Sequence, residues 1–185
     1  MMQSIGGTVV SDGLLKEHAA LPWRMSGDGT LEVLLLRPRR DGSWRIPAAR
    51  CSGTRTGIQS ADRAAFHDAG VTGRVGPEPI GRYVALRHTA GDSYKAVEVT
   101  VHGLHVWGSL VSWPNDVKVT RRWMPAAEAA VAVEDPGLRD LFRSLVSGAT
   151  PVRPVLPTGS PLFVATTERV SGLASSAGAD RFAPC

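Results

Sequence analysis

The sequence predicts an α/β sandwich, and three observations carry that expectation. Apolar, β-branched runs lie both before and after one central helical segment. That segment carries alanines at 61, 65 and 69, an i, i+4, i+8 stripe that lets a helix sit close on a sheet. Two further helical segments then follow in succession at 126–133 and 135–147. Composition does not choose among such folds.

In chain order, IGGTVV at 5–10 is short and β-branched and can open a sheet. LEVLLLRPR at 31–39 is a stronger strand, an apolar run set between the turn-forming GDGT and RRDGS. Trp44 to Pro47 reads as a short extended segment, because a residue before proline avoids helical geometry. ARCSGTRTG at 49–57 reads as a loop. Ser60 is placed to cap a helix running to about Ala69, with Asp62 in its first turn, Phe66 widening the alanine stripe and Gly70 stopping it. Residues 74–86 and 94–107 read as strands, joined by HTAGDS at 88–93. Trp123-Met124-Pro125 ends another strand, and its proline suits the first turn of the next helix. From about Gly148 no sustained period remains, so a domain at 1–148, with its core at about 20–145, is expected to precede a largely disordered Pro/Gly/Ser-containing tail at 149–185.

With 185 residues, one domain and a tail fit better than two domains. The apolar fraction of 43% supplies one ordinary core. No run approaches the roughly 18 apolar residues of a membrane span, and the first residues lack the basic-then-apolar order of a secretory signal. Cys51 and Cys185 are far apart, with no metal-like spacing, so a reduced, cytoplasmic protein is expected. The net charge of +4 comes almost wholly from arginine, since lysine occurs only at 16, 95 and 118. Arginine's planar fork suits phosphate, although genomic composition explains such a bias equally well.

The stretch WRIPAARCSGTRTGIQSADRAAFHDAGVTGRVGPEPIGRY resembles the Nudix box and its flanks. The family pattern is G-x5-E-x7-R-E-U-x-E-E-x-G-U, where U is a bulky aliphatic residue. Laid without gaps, it places the box Gly at Ala49, the first Glu at Arg55, the Arg at Arg63 and the next Glu at Ala64. Its acid pair falls on His67 and Asp68, and its closing Gly and U on Gly70 and Val71. WRIP, the strand at 31–39 with LPWR before it, and RRWMPAAEAAVAVEDPGLRDLF resemble flanks of the branch acting on diphosphoinositol and dinucleotide polyphosphates. The resemblance spans about residues 20–145. It implies a Nudix-like α/β/α sandwich with a mixed sheet and the box helix packed on it.

The resemblance also implies a chemistry, and the residues depart from it. In an intact box the carboxylates share one helix face, because spacings of three and four residues bring 64, 67 and 68 into mutual reach. They hold Mg²⁺ or Mn²⁺, which bridges the pyrophosphate and activates water. Here Ala64 supplies no ligand, His67 supplies a nitrogen better suited to softer metals, and Asp68 alone keeps an oxygen. The expected metal residues are therefore Asp68 and His67, and the expected catalytic residues Asp68 and Arg63. Asp116, Glu98 and Asp92 are the candidates for an acid completing the set, since KVTRRW before the last strand's end holds none.

Between 37 and 63 seven arginines stand against Asp41 and Asp62. Arg37, Arg45, Arg50 and Arg55 are the expected substrate-binding residues, facing phosphate by charge-assisted pairing; the competing reading is a solvated strand edge. Two functions follow. One is a Nudix-type hydrolase of a phosphoanhydride in a nucleoside- or inositol-diphosphate-linked compound, with activity weakened or lost. The other is a non-catalytic module that binds a phosphorylated small molecule in an Arg-rich pocket. A relic of the fold under little constraint is a third. His102 and His105, three apart on a strand, face opposite sides and form no zinc cluster. No membrane partner is expected, nor, with no recognised nucleic-acid module present, a nucleic acid.

Overall fold

The computed structural model describes residues 14–40, 42–51, 54–89 and 93–149. The expected opening strand at 5–10 and nearly all of the tail expected at 149–185 lie outside them. Six strands form one mixed sheet: β1 (Leu15–Met25), β2 (Leu31–Pro38), β3 (Ala48–Arg50), β4 (Val71–Thr89), β5 (Ser93–Ser109) and β6 (Val119–Pro125). Their order is β4-β5-β1-β2-β6, and β3 pairs β1 off this path. Among the described residues only β1 and β5 run parallel; every other strand pairing is antiparallel.

Strand β1 forks the sheet. On one flank it pairs β5 along most of its length. On the other it pairs β3 at residues 17–19 and β2 at residues 23–25. Pro22, with no N–H to donate, falls in the gap between those two partners. Glu17, His18 and Pro22 interrupt its apolar pattern, which is why the run reads poorly as a strand from sequence. Strands β4 and β5 make a long hairpin whose register breaks between Val75 and Gly81, where Pro77 and Pro79 interrupt the ladder.

Alternation sorts the side chains onto two faces. Ala19, Leu21, Trp23, Val33, Leu35, Val97, Val99 and Val101 face one way, under α2 (Ala126–Ala132) and α3 (Pro136–Val146). Asp135 caps α3 by accepting from the Leu138 amide at 3.1 Å, and Pro136 occupies its first turn. Leu138, Leu141, Phe142 and Leu145 then repeat at helical spacing and are buried, each contributing roughly 1.5–3 kcal/mol.

Ala20, Leu34, Leu36 and Leu104 face the other way, under the central helix. That helix, α1 (Gly57–Ala64), begins earlier than expected. Thr56, not Ser60, is its cap: Thr56 Oγ1 accepts from the Gln59 amide and Gln59 Oε1 accepts from the Thr56 amide, at 3.3 and 2.9 Å. Ser60 lies buried in the first turn, its hydroxyl donating to Thr56 O at 3.0 Å. Ala61, Ala65 and Ala69 are fully buried, as the stripe predicts. Phe66 does not widen the stripe; it is 45% exposed. After Ala64 the coil loosens into a π-helical turn, Ala65–Ala69, and stops at Gly70, whose φ of 60° is left-handed.

Candidate functional site

The π-helical turn and β3 enclose a small cavity of about 120 Å³, lined by Ala49, Arg63, Ala64, His67 and Asp68. All five stand at motif positions of the box, so the fold gathers what the pattern aligns. The Ala64 methyl is buried at the wall. Arg63 is exposed at the mouth and makes no ion pair or side-chain hydrogen bond among the described residues.

Asp68 is already partnered. Asn115 Nδ2 donates to its Oδ1 at 2.6 Å, and His67 Nδ1 lies 3.0 Å from the same oxygen. Asn115 Nδ2 is also 3.2 Å from His67 Nδ1, so the three polar groups close on one another. Asn115 comes from the turn between β5 and β6, outside the helix.

The same turn fastens the end of the box helix. Trp113 Nε1 donates to the Asp68 carbonyl at 3.0 Å, and its ring covers Gly70, where an added Cβ would fall 2.6 Å from Trp113 Cγ. Arg121 of β6 shares the face of Leu34 and Leu36 through its pairing with Leu36. Its Nη1 donates to the carbonyls of Ala69 and Gly70 at 2.6 and 3.1 Å, and its Nη2 to Leu110 O at 2.6 Å. Its guanidinium lies 3.9 Å from the Trp113 ring centroid. A cation at a helix C-terminus, where carbonyls lack intrahelical partners, is favourable. Arg121 is thus a fastener in the KVTRRW segment, where the sequence offers no acid.

The other expected residues scatter, for reasons set by strand parity. Arg37 faces the α2/α3 side, its guanidinium 5.1 Å from the Trp44 ring. Arg50, opposite Glu17 on β1, also takes that side, its Nε 3.8 Å from Glu17 Oε1. Arg45 is exposed and held by two main-chain hydrogen bonds to Leu36. Arg55 is exposed just before the helix cap. Only Arg63 lines the cavity, so the expected Arg-rich pocket is not assembled there. Among the acids considered, Asp116 accepts from Ser112 Oγ at 2.8 Å. Glu98 sits across from Lys16 and Val84, toward the hairpin end of β5. Asp92 lies outside the described residues.

A second polar cluster lies under the start of α1. His18 and His102 stack with ring centroids 5.9 Å apart, and the His18 ring presses on Gly57. Burial, then the nearby His102, Arg82 and Lys16, hold His18 below its ordinary value. Parallel pairing of β1 with β5 creates this contact across 84 residues, which spacing along the sequence does not reveal.

Mg²⁺ or Mn²⁺ does not fit the residues at the box. A hard divalent cation seeks several oxygen ligands. Here the helix offers one carboxylate, one imidazole nitrogen and a methyl group, and an amide donor occupies the carboxylate's Oδ1. Among the described residues no group of three or more His, Cys, Asp or Glu side chains is placed to hold a metal ion. His67 and Asp68, expected as a ligand pair, lie within hydrogen-bond distance of each other and of Asn115.

The chain matches no protein-family model and no curated protein in sequence. In three dimensions it resembles solved Nudix structures. A C. elegans Ap4A hydrolase in a binary complex superposes with a TM-score of 0.57 at 16% identity, over 74% of this chain and 98% of that one. A NUDIX hydrolase from Nitrosomonas europaea gives 0.55 at 16%, over 75% and 92%. The NUDIX domain of Shewanella oneidensis NrtR, complexed with ADP ribose, gives 0.52 at 15%, over 72% and 89%. The six-stranded mixed sheet with helices on both faces is the Nudix α/β/α fold. Among the described residues no helix is long and apolar enough to cross a membrane.

Proposed function

We propose that this chain is a Nudix-fold protein that binds a phosphorylated small molecule at the box cavity. In this reading the metal-dependent phosphoanhydride hydrolysis associated with the fold has been lost. The observation that supports it is the Asn115 amide on Asp68: the one box carboxylate left is committed to a neutral donor, beside the Ala64 methyl. Losing metal ligands removes both charge neutralisation and water activation, worth about several kcal/mol of transition-state stabilisation. Arg63 remains as a charged donor at the mouth, suited to a phosphate oxygen. The complex of a similar domain with ADP ribose supports a nucleoside-diphosphate compound as the ligand class.

The test uses the purified full chain with Mg²⁺ or Mn²⁺ and four probes: ADP-ribose, a dinucleotide polyphosphate, a diphosphoinositol polyphosphate and a nucleotide sugar. The expected result is no turnover, with thermal stabilisation by at least one probe that chelator leaves unchanged and Arg63→Ala abolishes. Turnover that disappears in Asp68→Ala would overturn the reading and restore Asp68 as a metal ligand and Arg63 as its positioning residue. No stabilisation by any probe would overturn the binding role. The triple change Ala64→Glu, His67→Glu, Asn115→Ala is expected to introduce metal-dependent turnover.

A further inference from the structure

On the face opposite the box cavity, strand pairing gathers basic residues that the sequence scatters. Arg37 and Arg122 belong to the side of Val33, Leu35 and Met124, since Leu35 pairs Arg122 and Arg37 pairs Thr120. The row continues past the strand ends to Arg39 and Lys118, joined by the Arg39 N–H to Lys118 carbonyl bond at 3.0 Å. Arg37 and Arg39 are two residues apart, roughly 6.7 Å, whereas Arg122 and Lys118 are four apart, roughly 13 Å, with Thr120 between them. All four are exposed. None makes an ion pair among the described residues; Asp116 accepts from Ser112, and Glu128 shares the groove rim with Arg122.

This row leads into an apolar groove of about 480 Å³ lined by Trp44, Met124, Ala127, Val131 and Ala132, with Arg122 and Glu128 at its polar rim. Trp44 is half-buried and packs on the core; the Arg37 guanidinium lies over its ring, 5.1 Å from the centroid, and the side chain also lines the groove. Val131 is 83% exposed. Cations in a line beside an aromatic wall suit a flexible polyanion whose repeating units carry flat rings. Phosphates neutralise the arginines and a base stacks on the indole; every base has a π-face, so no sequence need be read. A duplex keeps its bases stacked on one another and offers none to the groove. The groove and the box cavity share no lining residue and lie on opposite sides of the sheet.

We propose that the Arg37–Trp44–Arg122 face binds single-stranded nucleic acid, with phosphates along the basic row and one base in the groove against Trp44. The test is fluorescence anisotropy of the full chain with a labelled twelve-nucleotide oligopyrimidine, single-stranded and as a duplex, over a salt series. Single strands are expected to bind at least tenfold more tightly than the duplex. The log–log salt slope is expected near −3, about −0.7 for each of four phosphates, and Arg122→Ala reduces it by about 0.7. Trp44→Ala is expected to weaken binding at least fivefold and Trp44→Phe to restore most of it, the pattern of a stacked base. Because Trp44 also packs on the core, Arg37→Glu with Arg122→Glu gives an independent loss at two exposed positions. Equal affinity for duplex, a mononucleotide that binds as tightly as the oligonucleotide, or unchanged affinity in the Arg37/Arg122 variant would each overturn the proposal. ADP-ribose, the probe for the box cavity, is expected not to displace the oligonucleotide; displacement would refute two separate sites. Failure of ADP-ribose to bind at all bears on the box cavity alone.

Discussion

Replacing Arg121 with methionine keeps a long apolar stem and removes the guanidinium that joins three chain segments. The side chain makes three hydrogen bonds to main-chain carbonyls, two of them at 2.6 Å, and stacks on Trp113. A hydrogen bond with a charged partner contributes about 1.5–3 kcal/mol, and an exposed cation–π contact about 0.5–1. A plain sum would exceed 5 kcal/mol by this reckoning. Two facts lower it: the side chain is only half-buried, so water can reach the freed carbonyls, and the bonds share one guanidinium and are not additive. The expected loss is about 3 kcal/mol, or a Tm lower by roughly 10 °C. Arg121→Lys is expected to recover less than half, because an ammonium is a point charge and cannot fork across Ala69, Gly70 and Leu110. Equilibrium urea unfolding of the three proteins measures both values. A loss below about 1 kcal/mol for the methionine variant, or full rescue by lysine, would show that the end of the box helix is held by packing on Trp113 and not by Arg121.

Gly70→Ala meets two obstacles, a left-handed φ of 60° and a Cβ 2.6 Å from Trp113 Cγ; a loss of about 2–4 kcal/mol in urea unfolding is expected, and a loss under 1 would contradict the packing described. His18 is held below its ordinary value, so the unfolded chain takes up its proton at a higher pH than the folded one, and stability falls as pH drops through about 6.5 and below. His18→Gln is expected to flatten Tm between pH 7 and 5; an unchanged slope would assign the acid sensitivity elsewhere. Gly57→Ala places a methyl 2.2 Å from the His18 ring and is expected to lower Tm by several degrees, with recovery on pairing it with His18→Ala. Millimolar Mg²⁺ is expected to leave Tm unchanged, and a rise that grows with metal concentration would refute the misfit at the box.

The stretch DRAAFHDAGV shows which parts of such a site are legible in sequence. Its alanines at 65 and 69, continuing from Ala61, report helix packing directly, because one face of a helix recurs at fixed spacing. Gly70 reports the stop for a local reason as well. The register of the box follows from the pattern, and five of its positions do line one cavity. Its contacts from outside the helix were not legible. Trp113, Asn115 and Arg121 lie 45, 47 and 53 residues beyond Asp68, and nothing in their own neighbourhood marks them beyond a Pro-Asn-Asp turn. For the arginines at 37–63, nearness along the chain is not nearness in space. One residue's difference in strand parity sends Arg37 and Arg50 to the other side of the sheet, where Arg37 joins Arg122 and not Arg63.

The same stretch separates the residues that hold the fold from those that line the cavity. In helix α1 and its π-helical turn, the residues that pack and the residues that would bind metal occupy different sides. Ala61, Ala65 and Ala69 are fully buried on the sheet, whereas His67 and Asp68 face the cavity and the 111–118 turn. Substitution on the cavity side therefore leaves the sheet contact intact. A cluster of carboxylates is itself a cost unless a cation neutralises it, since like charges a few ångströms apart repel. Ala64 and His67 remove that repulsion, and Asn115 satisfies the carboxylate that stays. Under the proposed function the site needs no ion, and the formal cation at its mouth is Arg63. In that proposal the charge at the mouth meets phosphate directly, and the sensitivity of ligand binding to Arg63→Ala, with its indifference to chelator, is the property that follows.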